Sequence, residues 1–349
     1  MAISGTVYKT FSNGIRIDEE TSYAAGGVEA DAVSLGKVTN FSSNILDNTL
    51  RLKGIGEGRN ETSYVYGNVD VTGSVEWNVL ADISKTVGSS IGFMQFFFGK
   101  VSGTNGNTAD PFELQEVDSI DYSNMYSFAM WSQNEGGATD DVDLYEGCVA
   151  NNLTLTASLG DVLKASLDWT AKKVTSSTSI TTDYVKNSAA PIVMQQGTFK
   201  FGASPTTVEG VQSFTLTMSN SVFAYRSIGD RFIEKPEFGR RLYDFTIVAK
   251  MTSNNATALR DVVYGQANSF IDGIDPSTRT DVEVQFEFAE GSATGDKIMH
   301  VTIDKCTLTQ MSKPIPLDGD IVEVTLTGFG QEGKADGAAN VPIRYWTAT

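Results

Sequence analysis

The feature that most constrains this chain is a pattern that occurs twice in the same order, from Leu52 to Gly99 and again from Tyr225 to Gly265. Ile55-Gly56-Glu57 opens the first copy and Ile228-Gly229-Asp230 opens the second. Each copy then turns at a glycine, continues as an alternating apolar segment and stops at an aromatic residue followed by glycine. Because the copies lie about 170 residues apart, far more than the 20–50 of a solenoid, the duplication indicates two whole domains.

The similarity between the two copies continues towards the C-terminus of each copy. EGGATD at 135–140 is matched by EGSATGD at 290–296, and Leu153-Thr154-Leu155 by Cys306-Thr307-Leu308. The Ser/Thr-rich stretch 171–190 has the composition of a linker. We therefore predict a first domain at residues 1–180, which includes an N-terminal arm, and a second domain at 181–349.

The local patterns are mostly those of β-strands. Short alternating segments separated by glycine-rich turns predict strands, and 33 glycines with few long helix-formers agree with this. Apolar residues recur at helical spacing in only two places, residues 81–98 and 254–264. A single short helix must pack on a sheet to bury its apolar stripe. The expected fold is mainly β: two tandem duplicated β-sandwich domains, each with one short flanking α-helix.

Composition excludes several classes of function. The formal net charge is −17 and no basic run is present, which disfavours tight binding of nucleic acid. No apolar run approaches 18 residues, so no membrane insertion is expected, and the N-terminus lacks the layout of a secretory signal. Cys148 and Cys306 are too few for a disulfide framework and are expected to be small buried hydrophobic residues.

Catalytic residues are hard to find in this sequence. His300 is the only histidine and lies in an alternating segment, so a histidine metal cluster or a Ser-His-Asp relay has little to draw on. The acids between Asp140 and Glu146 could hold calcium, but their counterpart at 290–296 loses most carboxylates, which favours a solvated hairpin tip. We expect no enzyme activity, no cofactor and no bound metal.

The duplicated motifs resemble those of tail tube proteins, also called major tail proteins, of long-tailed viruses of bacteria and archaea. The segments that carry the resemblance are EETSYAAGG at 19–27, RLKGIGEGRN at 51–60, VDVTGSVEWNV at 69–79, SFTLTMSN at 213–220, RSIGDR at 226–231 and FGRRLYDFTIVAKM at 238–251. The likeness covers about residues 15–330. It implies a β-sandwich with a flanking helix, and in duplicated members of the family three chains form a pseudo-hexameric ring.

The resemblance implies a structural protein of the virion tail, made in the host cytoplasm. Its rings stack into a tube that conducts the viral genome into the host, so viral DNA passes through the lumen without specific binding. The chain itself is the main partner, as homotrimeric rings, with the tail terminator, tape measure and tail tip proteins as further partners. If each domain lends four strands to the inner wall, the channel would have roughly 24 strands. An acidic wall would let phosphate pass without sticking.

Two polar segments flanked by strong strands are the predicted contacts between stacked rings, Gly54–Gly67 and Gly229–Gly239. Both carry mixed charge. The candidate contact residues are Glu57, Arg59, Glu61, Tyr64, Asp230, Arg231, Glu234 and Lys235.

Two other classes of function stay open from the sequence. A β-sandwich binding or adhesion module would be a monomer with exposed aromatic or carboxylate clusters at its loop tips. A type VI secretion-like tube protein would share the fold and differ only in its neighbours. The host, a contractile or non-contractile tail, the sheet that lines the lumen and the role of the 100–120 insertion are not decided by the sequence.

Overall fold

A computed structural model describes residues 13–29, 31–52, 63–82, 84, 86, 88–116, 127–134, 141–177, 187–194, 198–202, 206–252, 282–290, 295–312, 322–333 and 341–347. These residues form a mainly β structure with large antiparallel sheets, which confirms the predicted fold class at that level. No helix among them is long and apolar enough to cross a membrane.

The strands of the first half of the chain are β1 (Asn13–Glu19), β2 (Val33–Ser34), β3 (Val38–Asp47), β4 (Leu50–Leu52), β5 (Ser63–Val65), β6 (Val69–Asn78), β7 (Gly99–Ser102), β8 (Phe112–Glu116), β9 (Phe128–Asn134), β10 (Asp141–Ser158), β11 (Lys164–Ala171) and β12 (Lys173–Ser177). Those of the second half are β13 (Thr198–Gly202), β14 (Thr206–Thr207), β15 (Val211–Ser219), β16 (Val222–Tyr225), β17 (Lys235–Phe238), β18 (Leu242–Lys250), β19 (Val282–Ala289), β20 (Lys297–Ser312), β21 (Glu323–Gly330), β22 (Glu332–Gly333) and β23 (Ile343–Thr347).

The described helix is much shorter than the sequence predicts. Instead of spanning 81–98, it consists of a 3₁₀ turn, Gly92–Met94, that leads into α1, Gln95–Phe98. Side chains explain the late start, because the Asp82 carboxylate accepts the N–H of Ser90 and the Ser89 hydroxyl accepts the N–H of Gly92. The counterpart predicted at 254–264 lies outside the described residues.

One antiparallel sheet runs through both halves of the chain. Its strand order is β3-β6-β11-β10-β15-β18-β21-β20, and β10 pairs with β15 at the centre. We call it the eight-stranded sheet. Its left four strands belong to the first half and its right four to the second. The order inside each set is the same when β15, β18, β21 and β20 are matched with β3, β6, β11 and β10.

Two smaller sheets cover the inner face of the eight-stranded sheet. One has the order β2-β1-β9-β10-β12, and the other begins β14-β13-β19-β20-β23 and continues through β8 to β7. The first four strands again follow one order in both halves, and β22 pairs with residues 303–304 of β20 as the start of β12 pairs with residues 145–146 of β10. The long strands β10 and β20 therefore each bend from one sheet into another. Part of the 100–120 insertion is the β7–β8 hairpin, which joins the C-terminal strand β23.

The bends of β10 and β20 share their details. Gly147, at φ 66°, precedes buried Cys148 in β10, and Lys305, at φ 51°, precedes buried Cys306 in β20. The register to the next strand then shifts between Ala150 and Asn152 in β10, and between Leu308 and Gln310 in β20. The matching offset is therefore 158 residues, and the predicted match of Leu153 with Cys306 is five residues out of register.

Aromatic side chains fill the space between the sheets. In the first half, Trp77 of β6 lies against Phe93 at 5.2 Å, and Phe93 lies against Phe128 of β9 at 5.4 Å, so the helical turn is wedged between two sheets. In the second half, Phe214 of β15 contacts Phe286 of β19 directly. All these side chains are buried, which makes each half a two-layer sandwich.

The predicted linker is in part a strand. Residues 173–177 form β12, which pairs with residues 142–146 of β10. Alternating Lys173, Val174 and Thr175 lie against the existing edge of β10, so the Ser/Thr-rich composition does not prevent pairing. Residues 178–186 lie outside the described residues.

Candidate functional site

The outer face of the eight-stranded sheet carries many hydroxyl groups. Inner residues of β10, β15, β18 and β21 are buried, and the alternate residues face away from the core. Thr156, Thr215, Thr246 and Thr327 lie directly opposite one another on four neighbouring strands. This threonine row crosses the junction between the two halves without interruption.

The charges on this face are few and mostly negative. The described carboxylates are Asp70, Glu76, Asp168, Asp244 and Glu323, and the described bases are Lys164 and Lys250. Lys164 pairs with Asp161 in the adjoining turn at 2.6 Å. A polyanion on this face would therefore meet hydroxyl groups and scattered negative charges, with few positive charges to bind it.

The sheet ends in two open edges. Strand β3 pairs with β6 on one side, and residues 307–312 of β20 pair with β21 on one side; no described strand lies beyond either. The side chains of β3 are largely exposed, including Ile45 at 52%. The matching residue in β15, Met218, is fully buried because β10 covers it. Exposed apolar edge strands invite pairing with another chain.

The junction of the two halves is tied by an asparagine. Asn220, directly after β15, is buried and donates its side-chain amide to the carbonyls of Phe97 (2.9 Å) and Ala150 (3.3 Å). Arg241 in turn donates Nε to the Asn220 side-chain oxygen at 3.0 Å. The end of α1 and the bend of β10 are thereby fixed to the second half.

Two hairpins leave the same end of the eight-stranded sheet, β4–β5 after β3 and β16–β17 after β15. The connection of the second hairpin reaches back over the first half. Arg226 forms an ion pair with Asp70, and Arg231 binds Asp47 at 2.8 Å and the carbonyl of Gly67 at 2.9 Å. We call these contacts the arginine clasp.

Two further contacts strengthen the clasp. The Arg231 guanidinium lies 4.8 Å from the centre of the Tyr66 ring, and the Arg231 carbonyl accepts the N–H of Val69. The hydrogen bond from Arg231 lowers the pKa of Asp47 below its usual value. The clasp therefore stabilises the charged form of the Asp47 carboxylate.

The predicted ring-contact residues have different surroundings. Glu57, Arg59 and Glu61 lie outside the described residues. Tyr64 is 62% exposed and its ring lies edge-on to that of Tyr66, at 5.3 Å.

In the second segment, Asp230 is exposed and accepts the N–H of Phe232, and Glu234 accepts a hydrogen bond from Ser227. Lys235 opens β17 opposite Tyr225. Arg231 is engaged in the clasp within its own chain, so it does more than extend towards solvent. The partners of the clasp, Asp47 and Asp70, escaped the sequence reasoning because they are distant in the chain.

Apolar groups are exposed at both ends of the eight-stranded sheet. At the hairpin end, Phe223, Tyr225 and Ile228 are exposed at 64%, 54% and 108%. At the opposite end, an open pocket of about 320 Å³ is rimmed by exposed Leu159. Its other lining residues are Met194, Thr198, Phe199, Thr207, Val208, Glu209, Gly210, Val211, Phe214, Phe286, Glu287 and Phe288.

Reactive groups are not gathered at any of these surfaces. His300 lies in β20, as predicted, is buried, and faces Trp346 at 6.2 Å. Glu146 pairs with Lys173 at 2.9 Å, and Asp143 accepts a hydrogen bond from Ser176. In the described part of the chain, no three potential ligands come together for a metal ion.

A family model described as phage tail tube protein covers residues 10–330, nearly the whole chain. No curated protein matches the sequence.

Proposed function

The chain belongs to the phage tail tube protein family, and on this premise we propose that three copies close into a pseudo-hexameric ring whose stacked rings conduct the viral genome. The family is structural and not enzymatic, and it places the chain in the virion tail. In this proposal the two halves, 1–180 and 181–349, are a tandem duplication. Their shared strand order and the matched bends of β10 and β20 support it.

The pairing of β10 with β15 is the observation that carries this proposal. It joins two four-stranded sets side by side within one chain. Strand β3 matches β15, and the end of β20 matches the end of β10, so the two open edges are copies of the two strands that already pair. The same joint between chains would remove both edges. Because the edges are unlike each other, the contact is heterologous and closes a ring when the rotation allows.

The internal joint also sets the register of the joint between chains. Within the chain, Thr154 lies opposite Thr217. When the two halves are matched strand by strand, Asn44 of β3 corresponds to Thr217 of β15, and Ser312 of β20 corresponds to Thr154 of β10. This correspondence follows because the residues opposite them on the neighbouring strands correspond as well. Asn44 of one copy is therefore opposite Ser312 of the next. Both side chains are exposed in the single chain.

A double variant, Asn44→Cys with Ser312→Cys, tests the ring and its register together. Directly opposite residues have Cα atoms about 4.5–5.5 Å apart, within the range that a disulfide spans. Mild oxidation should yield covalent dimers and then covalent trimers on a non-reducing gel, with no larger ladder from separated rings. The native cysteines are buried and should not contribute.

The matched control pairs Asn40→Cys with Ser312→Cys. Asn40 lies four residues further along β3, about 13 Å away, so this variant should stay monomeric on the gel. Equal crosslinking of the two variants would reject the register. A wild-type protein whose mass in solution is that of a monomer, or of six chains per ring, would reject the trimer.

The outer face of the eight-stranded sheet is the proposed channel wall. Three copies would supply roughly 24 strands, enough for an open channel. Its hydroxyl rows and its excess of carboxylates over lysines suit DNA that passes without specific binding.

The hairpin ends are the proposed contacts with the next ring. They include the predicted residues Glu57, Arg59, Glu61, Tyr64, Asp230, Arg231, Glu234 and Lys235. Tail terminator, tape measure and tail tip proteins are the further partners proposed, and synthesis takes place in the host cytoplasm.

A further inference from the structure

We infer that the exposed apolar group on the second hairpin, Phe223, Tyr225 and Ile228, inserts into the Leu159 pocket of a second copy of this chain in the neighbouring ring. This inference rests on the proposed function and names the surfaces by which one ring binds the next. We call the two surfaces the hairpin knob and the Leu159 pocket.

The knob stays exposed although its hairpin is already docked. Arg226 and Arg231 fix the connection of this hairpin to Asp70 and Asp47 of the first half. Nevertheless Ile228 is fully exposed and Phe223 is 64% exposed. Pairing of β3 with β20 of another copy takes place at the sheet edges and does not cover them. Their remaining apolar area is therefore available to a partner outside the ring.

The Leu159 pocket lies at the opposite end of the same strands. Strand β15 begins at Val211, which lines the pocket, and ends at Ser219, just before the hairpin. These two ends are roughly 27 Å apart, from the rise of a β-strand. Copies that stack along the strands bring the knob of one towards the pocket of the next. Unlike surfaces at opposite ends generate an open filament, which is the geometry of a tube.

The pocket suits an apolar side chain. Phe199, Val208, Phe214, Phe286 and Phe288 line it, and all five are buried or nearly so. Its volume, about 320 Å³, is at the small end of ligand pockets, which leaves room for one or two side chains.

Tube length and ring mass test the inference separately. Ile228→Asp should leave the trimer intact, because the residue touches no ring joint, and should shorten tubes in negative-stain micrographs at least tenfold. Val28→Asp is the matched control, since Val28 is 56% exposed on another surface, and its tubes should keep the wild-type length. Undiminished tubes from Ile228→Asp would overturn the inference and leave the ring unaffected. Wild-type protein that forms no trimers would instead overturn the proposed ring.

Crosslinking gives a second readout that does not need long tubes. Ile228→Cys protein is mixed with Leu159→Cys protein and treated with a short bismaleimide. Burial raises the pKa of the native thiols Cys148 and Cys306, so they should not react. A mixed dimer is expected, at several times the yield of the Val28→Cys and Leu159→Cys mixture. Equal yields from the two mixtures would overturn the contact.

Discussion

Two residues at corresponding bends, Gly147 in β10 and Lys305 in β20, illustrate how local backbone geometry limits the sequence. Gly147 and Lys305 both have positive φ, a region that costs an L-residue about 1–2 kcal/mol. A Cβ on Gly147 would also lie 2.9 Å from Ala24 and 3.0 Å from Lys172. Its N–H donates to buried Glu20 at 3.0 Å, so the bend holds the N-terminal segment in place.

Gly147→Ala should therefore lower the free energy of unfolding by about 1–3 kcal/mol. Lys305→Gly should raise it by at most about 1 kcal/mol, because relief of strain is partly offset by the greater freedom of glycine in the unfolded chain. Chemical denaturation at one protein concentration measures both. If Lys305→Gly lowered the free energy of unfolding as much as Gly147→Ala, the positive φ of Lys305 would not be a source of strain.

The arginine clasp should depend on pH. Arg231 lowers the pKa of Asp47, so its stabilising effect is complete above the ordinary aspartate pKa of about 3.9 and is lost as pH falls through the lowered value. Hydrogen exchange at the Val69 N–H, which binds the Arg231 carbonyl, should speed up between pH 5 and pH 3 after correction for the intrinsic rate. In Asp47→Asn the corrected rate should be insensitive to pH over this range. An identical pH profile in the two proteins would rule out Asp47 as the cause.

At the residue scale, the sequence indicates the environment of single residues but not their partners. It predicts that Cys148 and Cys306 are buried, because two cysteines are too few for a disulfide framework, and that His300 is on a strand, because apolar residues alternate there; the structure confirms both. It predicts that Arg231 lies in a loop that touches the next ring, and this stays a prediction. The structure adds that Arg231 pairs with Asp47, 184 residues away. A contact between residues so distant leaves no periodic signal in either segment.

At the scale of elements, the open edge of β3 is the most informative. Ile45→Lys should prevent ring closure, since a charge on an edge strand opposes pairing. The side chain is half exposed in the single chain, so the free energy of unfolding should change by less than about 0.5 kcal/mol. Mass photometry should report monomers for this variant and trimers for Val28→Lys. Trimers of Ile45→Lys would mean that rings close elsewhere.

The helix and the linker show why element boundaries were harder to predict. Ile91, Met94 and Phe98 are buried, as the apolar stripe predicted, yet helical geometry begins only at Gly92. The side-chain oxygens of Ser89 and Asp82 accept backbone N–H groups at the start of this segment, and these hydrogen bonds depend on the tertiary structure. Strand β12 inside the predicted linker likewise exists because β10 offers it an edge.

At the scale of the whole molecule, the proposed channel wall is the outer face of the eight-stranded sheet, and charges placed there test its contact with DNA. Thr215→Lys with Thr246→Lys puts two positive charges in the centre of the threonine row. Assembled tubes of this variant should retain short duplex DNA, with an affinity that falls steeply with salt. Wild-type tubes should not retain it, and Val28→Lys tubes should behave as wild type. Equal retention by all three would place the DNA path elsewhere. Fluorescence anisotropy of labelled duplex measures this.

The repeated turns predict a two-part organisation, which stays a prediction, and they give no indication that one sheet continues through both halves. Apolar alternation assigns the residues of β10 and of β15 to the inner or the outer face of a sheet. It contains no information on which strand lies beside which, because every alternating strand presents the same pattern. The pairing of β10 with β15 therefore had to come from the structure.

That central pairing has a mechanical consequence for a ring of three. The joint between β10 and β15 is held by a continuous backbone, so it forms at the high effective concentration of a tethered pair and survives dilution. The joints between chains have no such tether. A ring that fails, under internal pressure or on ageing, should thus open only at three evenly spaced seams and release intact pairs of wall segments.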